Sequence, residues 1–218
     1  FVCIDDGSGT NRFFKLKAWE ILFDGTSTAA FRGYQQADFP DTNHWAVTTN
    51  GELMAAVDAT RLLLTTRKQY GSYELRWEWK TSSKGNSGVQ YRASDTSTGP
   101  EYQLLDDLSY SVPANNTMGA VWGLFAPTNK VRVPVGQWNV CRLILQGNHV
   151  QHWLNGSKVV EYTINSAAWT NALIAGGSSF SVPGFGQGTS PGVGYILLRN
   201  DTGPTWFRNI KIRQLPSQ

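Results

Sequence analysis

The chain has 218 residues, including 9 Trp and 22 Gly, and a formal net charge of +3. Charged residues make up 16% of it, against about 25% in an average soluble domain, and this low charge excludes a disordered chain. No stretch approaches the roughly 18 uninterrupted apolar residues of a membrane span, so none is expected. The basic residues are too scattered for a nucleic-acid partner. We expect a single all-β domain over residues 1–218, with residues 1–18 a candidate N-terminal extension.

The two cysteines, Cys3 and Cys141, leave two alternatives open. They could form one disulfide that ties the N-terminus to the body of the protein, or they could be one exposed and one core thiol. A zinc site is disfavoured because no Cys-x-x-Cys or His-x-x-x-His spacing occurs. The start at Phe1 is typical of a processed, exported protein and equally of a trimmed sequence.

Strands separated by turns are predicted along most of the chain, in place of helical periodicity. Asn50-Gly51 favours a hairpin between Trp45–Thr48 and Leu53–Ala55. The clearest strand follows at Ser72–Lys80, where apolar and charged side chains alternate. Such alternation is typical of a half-buried antiparallel strand with one apolar and one polar face.

Further strands are predicted toward the C-terminus. They lie near Val89–Arg92, Glu101–Leu105, Asn139–Gln146, Val150–Leu154, Lys158–Tyr162, Val193–Arg199 and Trp206–Arg213. Asn155-Gly156 marks a second hairpin, and the Gly-rich segment Gly176–Gly192 is predicted to be a long loop. At least ten strands without helices predict a two-sheet sandwich or a barrel, and the sequence leaves the oligomeric state open.

Polar side chains on the predicted strands suggest a sugar site. Three successive strands present Arg76 and Glu78, then Gln90 and Arg92, then Glu101 and Gln103. If these strands are neighbours in one sheet, the six side chains converge on one patch. Charged and amide groups beside Trp provide the donors, acceptors and aromatic faces that bind sugars. The alternative is a solvated face with cross-strand ion pairs.

The spacing of carboxylates within one strand does not fit a glycosidase. Glu74 and Glu78 share a face four residues apart, so their backbones are roughly 13 Å apart. Glycosidases need about 5–5.5 Å or about 6.5–9.5 Å between the two carboxyls. A cross-strand pair such as Glu78 with Glu101 stays open.

Seven segments carry a specific resemblance to a known family. They are Glu20–Gly25, Tyr70–Trp79, Gly85–Arg92, Glu101–Asp106, Gly136–Asn139, His152–Gly156 and Trp206–Ile210. In family order, and over residues of about 20 to 215, they resemble the 3-keto-disaccharide hydrolase domain family, formerly a domain of unknown function. The resemblance implies an antiparallel jelly-roll sandwich of the concanavalin-like lectin/glucanase type. It also implies an exported bacterial protein, secreted or periplasmic.

The family's name implies cleavage of glycosides whose sugar is oxidised at C3. The ketone acidifies the C2 proton, and its removal gives an enolate that can expel the C1 substituent. Water can then add, giving net hydrolysis without a pair of carboxylates. The first alternative is a non-catalytic glycan-binding module. The second is an endo-β-glucanase-like hydrolase, although its Glu-x-Asp-x-x-Glu strand motif is absent.

Three residues are assigned catalytic roles on this resemblance. Glu101 is the expected base, because it combines a family-motif position with the polar face. Arg92 would stabilise the enolate or hold a sugar oxygen, and His152 would transfer protons near neutral pH. Each residue also has a structural alternative. Glu101 could be an ordinary surface carboxylate, Arg92 could belong to a structural ion pair, and His152 could be a packed core histidine.

Substrate contacts are expected from Asn86, Gln103, Glu78 and Trp122, the last by stacking on a sugar ring. Asp106 would be a loop anchor or a metal ligand. No cofactor is certain, but a divalent ion could assist the enolate. One segment departs from the family pattern, since Arg199-Asn200-Asp201-Thr202-Gly203 lacks the His that many members carry before the final strand.

Overall fold

The structure, a computed structural model, describes residues 2–5, 11–14, 17–56, 63–180, 184–189 and 192–216. Its strands are β1 (Val2–Asp5), β2 (Asn11–Phe14), β3 (Glu20–Phe23), β4 (Phe31–Gly33), β5 (Trp45–Val47), β6 (Leu53–Ala55), β7 (Leu64–Thr66), β8 (Tyr73–Thr81), β9 (Asn86–Ala93), β10 (Glu101–Leu105), β11 (Asn139–Gln146), β12 (His149–Leu154), β13 (Ser157–Thr163), β14 (Tyr195–Thr202) and β15 (Thr205–Gln214). There is one α-helix, α1 (Ala167–Gly176), and there are 3-10 helices at Ala114–Asn116 and Gly177–Phe180 in these residues.

Two antiparallel sheets make up most of the described chain. The five-stranded sheet has the order β10-β9-β14-β7-β4. The eight-stranded sheet has the order β13-β12-β11-β8-β15-β6-β5, with β3 paired to β15. Strands β1 and β2 pair separately. Within the described residues, no helix has the length and apolarity needed to span a bilayer.

The two large sheets pack face to face, which confirms the predicted sandwich. The alternating apolar residues of β8 are buried, as the sequence predicts, and they join one apolar cluster with residues of β9 and β10. Trp77 of β8 and Tyr102 of β10 meet edge to face in this cluster, with ring centroids 5.1 Å apart. The core therefore lies between the sheets, and each sheet turns its other face outward.

Both Asn-Gly hairpins form where the sequence predicts them. Asn155 and Gly156 have φ of 48° and 86°, the left-handed pair that a type I′ turn requires. β5 and β6 pair around Asn50-Gly51, where Gly51 has φ of 69°.

The expectation of a chain without helices is wrong at α1. The Ser166 side chain accepts a hydrogen bond from the Trp169 amide at 3.2 Å and caps the helix start. Gly177, with φ of 75°, ends it. Trp169 is the one buried residue of this helix, so no apolar stripe marks it in the sequence.

Consecutive strands β8 and β9 belong to different sheets. β8 pairs with β11 and β15, whereas β9 pairs with β10 and β14. The connection at residues 82–85 crosses the sandwich edge, and a Cβ on Gly85 would lie 1.6 Å from the Thr81 hydroxyl. The polar faces of β8 and β9 therefore point to opposite sides of the molecule.

Cys141 is a free thiol in the core. Burial raises its pKa to about 12. The side chain of Cys3 lies outside the described part of the structure. The sequence left open a disulfide between Cys3 and Cys141, or one exposed and one core thiol. The position of Cys141 corresponds to the core thiol.

A buried chain of polar groups links the two sheets. His152 of β12 places Nδ1 3.0 Å from the Gly119 carbonyl and Nε2 2.9 Å from the Tyr91 hydroxyl. A carbonyl can only accept, so Nδ1 carries the proton and Nε2 accepts from Tyr91. Tyr91 in turn contacts the Tyr162 hydroxyl at 2.6 Å. Both ring nitrogens of a neutral imidazole therefore have hydrogen-bond partners. Burial lowers the pKa of His152 from 6.5 to about 3.

We expect His152 to contribute to acid sensitivity. Its folded-state pKa is lowered, so its stabilising contribution is complete above pH 6.5 and is lost as pH falls toward about 3. The free energy of unfolding should drop by roughly 3 kcal/mol between about pH 7 and about pH 4 from this group. His152→Gln should be less stable at neutral pH but lose less on acidification, as measured by urea unfolding.

His149→Gln is the matched control, because His149 lies on the same strand and is exposed beside Glu161. This control should retain the loss of stability on acidification that is assigned to His152. An unchanged pH dependence in His152→Gln would contradict the assignment.

Candidate active site

The outer face of the five-stranded sheet gathers polar side chains in two cross-strand rows. One row is Glu101, Gln90 and Leu197, and the next is Gln103, Gly88 and Arg199. The residues between them along β9 and β10 belong to the core, so these six face outward. The rows place side chains from three strands, β10, β9 and β14, around one carboxyl group.

Glu101 lies at the centre of this face. Its carboxyl accepts a hydrogen bond from the Gln90 amide at 2.9 Å, and an Arg199 nitrogen lies 3.8 Å away. The residue is only 6% exposed. Burial raises its pKa from 4.5 to about 7, against the opposing charge of Arg199 and with a further increase from Asp201. The group therefore exchanges a proton near neutral pH.

Gly88 provides the space that the Glu101 carboxyl occupies. A Cβ at position 88 would lie 2.1 Å from Oε1 of Glu101 and 2.5 Å from its carboxyl carbon. Any side chain at this position would displace the carboxyl group from its contact with Gln90.

Arg199 connects the carboxyl to a second acidic residue. Its Nε donates to Asp201 at 2.7 Å, while its Nη1 faces Glu101. Both residues fall in the segment where the sequence departs from the family pattern. The sequence does not indicate their place beside Glu101, because alternation along β14 does not reveal that β9 is its partner. The arginine and aspartate around the turn were the available signal.

Gln103 and Asn86 extend the polar face beyond Glu101. The Gln103 amide donates to the Asn86 side-chain oxygen at 3.0 Å. Both were predicted as substrate contacts, and the structure brings them together on the face that holds Glu101.

Trp122 borders the site on the open edge of β10. Residues 119–122 pair with this edge, and the Trp122 amide donates to the Glu101 carbonyl at 3.0 Å. This pairing puts Trp122 on the same side of the strand as the Glu101 side chain. The indole is 37% exposed and packs on Phe180, with centroids 5.7 Å apart. It therefore has a free surface beside the carboxyl.

Arg92 is not beside Glu101, although simple alternation predicts it there. A bulge between β9 and β14 and a φ of 54° at Arg92 turn this side chain inward. Its guanidinium is buried at the end of the sandwich and donates to the Gly147 carbonyl. Burial lowers its pKa. The cation beside Glu101 is Arg199 instead.

Two more predicted residues are also elsewhere. His152 lies between the sheets, where its imidazole stacks on Tyr102 at 4.3 Å. Glu78 lies on the outer face of the eight-stranded sheet, where its carboxylate accepts hydrogen bonds from Arg208 and Asn209, each at 2.7 Å. The pairing of Glu78 with Glu101 is therefore excluded by the separation of β8 from β9.

Asp106 anchors the loop that follows β10. Its carboxylate accepts from the Lys84 amide at 3.0 Å and from the Ser109 hydroxyl at 2.5 Å. Burial opposes ionisation, but these hydrogen bonds lower its pKa overall. The part of the chain that the structure describes holds no group of three or more His, Cys, Asp or Glu side chains arranged to bind a metal ion.

Chemically, the arrangement suits removal of a proton from carbon. A buried carboxyl with a pKa of about 7 is a stronger base than an ordinary glutamate and is still partly ionised at neutral pH. The neighbouring guanidinium and amide can stabilise negative charge that develops on a substrate oxygen.

Comparison with known proteins places this chain in a carbohydrate-active family. A protein of Bacteroides thetaiotaomicron named 3-keto-disaccharide hydrolase is 26% identical over 231 residues, covering 89% of this chain and 77% of the relative. A crystal structure from Parabacteroides distasonis, provisionally named a glycosyl hydrolase, is 26% identical with a TM-score of 0.80. It covers 91% of this chain and 94% of that one.

A more distant likeness supports the fold alone. The carbohydrate binding module CBM66 from Bacillus subtilis has a TM-score of 0.51 at 12% identity, covering 85% of this chain and 96% of that one. The model of the 3-keto-alpha-glucoside-1,2-lyase-like domain matches residues 18–213. Because this match spans most of the sequence, the chain belongs to the 3-keto-alpha-glucoside-1,2-lyase-like domain family.

Proposed function

We propose that the protein cleaves the bond between C1 and its substituent in 3-keto glycosides, with Glu101 as the base. The observation that carries this proposal is the buried Glu101 carboxyl, whose pKa lies near 7 beside Arg199 and Gln90. The 3-keto substrate class comes from the family and from the named relative.

The reaction proceeds by elimination. The Glu101 carboxylate takes the C2 proton, and the C–H electron pair is delocalised into the C3 carbonyl as an enolate. The pair then forms the C1–C2 double bond, the bond from C1 to the leaving oxygen breaks, and that oxygen takes up a proton. Addition of water, with hydroxyl to C1 and a proton to C2, yields the free 3-keto sugar.

The neighbouring residues have distinct roles in this route. Arg199 stabilises the enolate charge, a role that the resemblance gave to Arg92. Gln90 orients the carboxyl through its amide. Gln103 and Asn86 bind sugar hydroxyls farther along the face. Trp122 borders the same face as a surface on which a sugar ring can stack.

Glu101→Gln should lower kcat/KM for a 3-keto glycoside by about 100- to 10,000-fold, because it removes the base and keeps the side-chain shape. In the wild type, kcat/KM should rise with pH through about 7, as the carboxyl ionises. Aglycone release from a 3-keto glycoside and from its unoxidised parent is the measurement.

Glu161→Gln makes the same chemical change on the exposed side of the other sheet and should leave turnover unchanged. In the wild type, deuterium at C2 should slow the reaction. Full activity of Glu101→Gln would remove Glu101 as the base, and equal cleavage of the unoxidised parent would refute the substrate class.

Glu101→Gln should also stabilise the fold at alkaline pH. The folded-state pKa is raised from 4.5 to about 7, so the contribution of Glu101 to stability is complete below pH 4.5 and is lost as pH rises through 7. The loss from this group is roughly 3 kcal/mol. Urea unfolding at about pH 5 and at about pH 8 should show that the free energy of unfolding of the variant, relative to that of the wild type, increases with pH. A constant difference would contradict the raised pKa.

Gly88→Ala should lower kcat/KM by roughly 10- to 100-fold, because the added methyl displaces the Glu101 carboxyl. Gly71→Ala is the matched control, since its new Cβ would meet the nearest atom at an ordinary 3.5 Å. Steady-state kinetics and thermal melting of both variants separate a site effect from loss of fold. Normal kinetics in Gly88→Ala would contradict the role of this glycine.

A further inference from the structure

Trp122 and Arg199 lie on opposite sides of Glu101. The Trp122 amide donates to the Glu101 carbonyl at 3.0 Å, and two residues along the strand the Gln103 amide donates to the Ala120 carbonyl at 3.1 Å. These two bonds put Trp122 directly opposite Glu101, across the open edge of β10. Arg199 is on β14, which lies beyond β9 on the other side. The carboxyl therefore has an aromatic ring on one side and a cation on the other.

The Glu101 side chain leans away from Trp122, toward the cation. It fills the space above Gly88 of β9, where a Cβ would lie 2.1 Å from Oε1. Its other carboxylate oxygen, Oε2, is 3.8 Å from Nη1 of Arg199. The outer face between the carboxyl and the Trp122 ring is therefore not filled by the Glu101 side chain.

The side of the site beyond the β10 edge is aromatic. The Trp122 ring packs on Phe180, with centroids 5.7 Å apart, and Phe180 meets Phe185 edge to face at 5.6 Å. Gly123 allows the approach of Phe180, because a Cβ at this position would lie 2.5 Å from its ring. The indole is thus supported by aromatic neighbours and remains 37% exposed. It offers a flat apolar surface beside the base.

The bonds of the substrate then determine its direction on the sheet, and this step rests on the proposed function. The proton leaves from C2, so C2 lies at the Glu101 carboxyl. Negative charge develops on the C3 oxygen, so this oxygen points toward Arg199. C1 and C3 are the two ring neighbours of C2 and extend from it in different directions. The substituent on C1 therefore points away from Arg199, toward Trp122.

We propose that Trp122 binds the leaving group of the reaction and selects substrates in which this group is itself a ring with a flat apolar face. Such a ring stacks on an indole, whereas a small alkyl group leaves most of the indole uncovered. The substrate class is a 3-keto glycoside whose C1 oxygen carries either a second sugar or an aromatic alcohol. Trp122 is thus a specificity-determining residue, and the ring that it contacts is the one that leaves.

Turnover of three 3-keto glucosides that differ only at C1 tests this proposal. The C1 substituents are methoxy, benzyloxy and a second glucose. In the wild type, kcat/KM for at least one ring-bearing substrate should exceed that for the methyl glucoside by roughly 3- to 10-fold. The better of the two identifies the class of ring. Trp122→Ala should lower kcat/KM for that substrate roughly 3- to 10-fold more than for the methyl glucoside.

Three further variants separate the two sides of the site. Arg199→Gln should lower kcat/KM by the same factor for all three substrates, because they share the C3 carbonyl. Trp122→Phe should keep part of the preference for a ring. Trp153→Ala is the matched control, since Trp153 is a partly exposed tryptophan on the outer face of the other sheet, and it should leave all three values unchanged. Thermal melting checks that each variant is folded.

Binding to Glu101→Gln measures the same preference without turnover. By calorimetric titration, the preferred ring-bearing glucoside should bind this variant more tightly than the methyl glucoside does. The double variant Glu101→Gln/Trp122→Ala should lose the difference. If the wild type cleaves none of the substrates, the proposed function fails, and this binding measurement still decides the role of Trp122.

Three results would overturn the proposal. The first is equal kcat/KM for the methyl and both ring-bearing substrates in the wild type. The second is an equal loss for all three substrates in Trp122→Ala, which would mean that the indole contacts the oxidised sugar. The third is the same affinity of Glu101→Gln for the methyl and the ring-bearing glucosides, or no binding of any of them.

Discussion

Packing of two sheets across a shared aromatic core is the constraint on which the rest of the structure depends. Each strand of the sandwich can bury only one of its two faces, so the other face is free to carry function. β8 and β9 follow each other in the chain, yet they pack against each other from opposite sheets. Their polar residues are thereby divided between two outer surfaces. One surrounds Glu101, and the other carries Arg76 and its neighbours.

The two surfaces differ in how completely a buried carboxylate is paired with cations. Glu74 is buried and is paired with three arginines. Glu101 is equally buried, but its cation, Arg199, is 3.8 Å away and shared with Asp201. Burial then dominates and raises its pKa to about 7. An incompletely paired carboxylate costs stability at neutral pH, which is characteristic of a catalytic group rather than a structural one.

Departures from regular strand geometry decide which side chains reach the candidate active site. The bulge at Arg92 moves one predicted catalytic group into the core. Gly88 leaves a gap in the same strand, and the Glu101 carboxyl fills it. The pairing of residues 119–122 with the edge of β10 adds Trp122 beside this carboxyl. A regular five-stranded sheet with the same composition would present a different set of groups.

The sequence by itself determined ten of the fifteen described strands, both Asn-Gly hairpins, the family and the outward position of Glu101. These features follow from local rules, because alternation and turn chemistry act over only a few residues. Tertiary structure decided that Arg199 replaces Arg92 as the neighbouring cation, that His152 is a neutral core residue, and that Glu78 lies on the opposite side. Strand partners, bulges and burial depend on contacts between residues far apart in the chain, and a period of two residues contains no information about them.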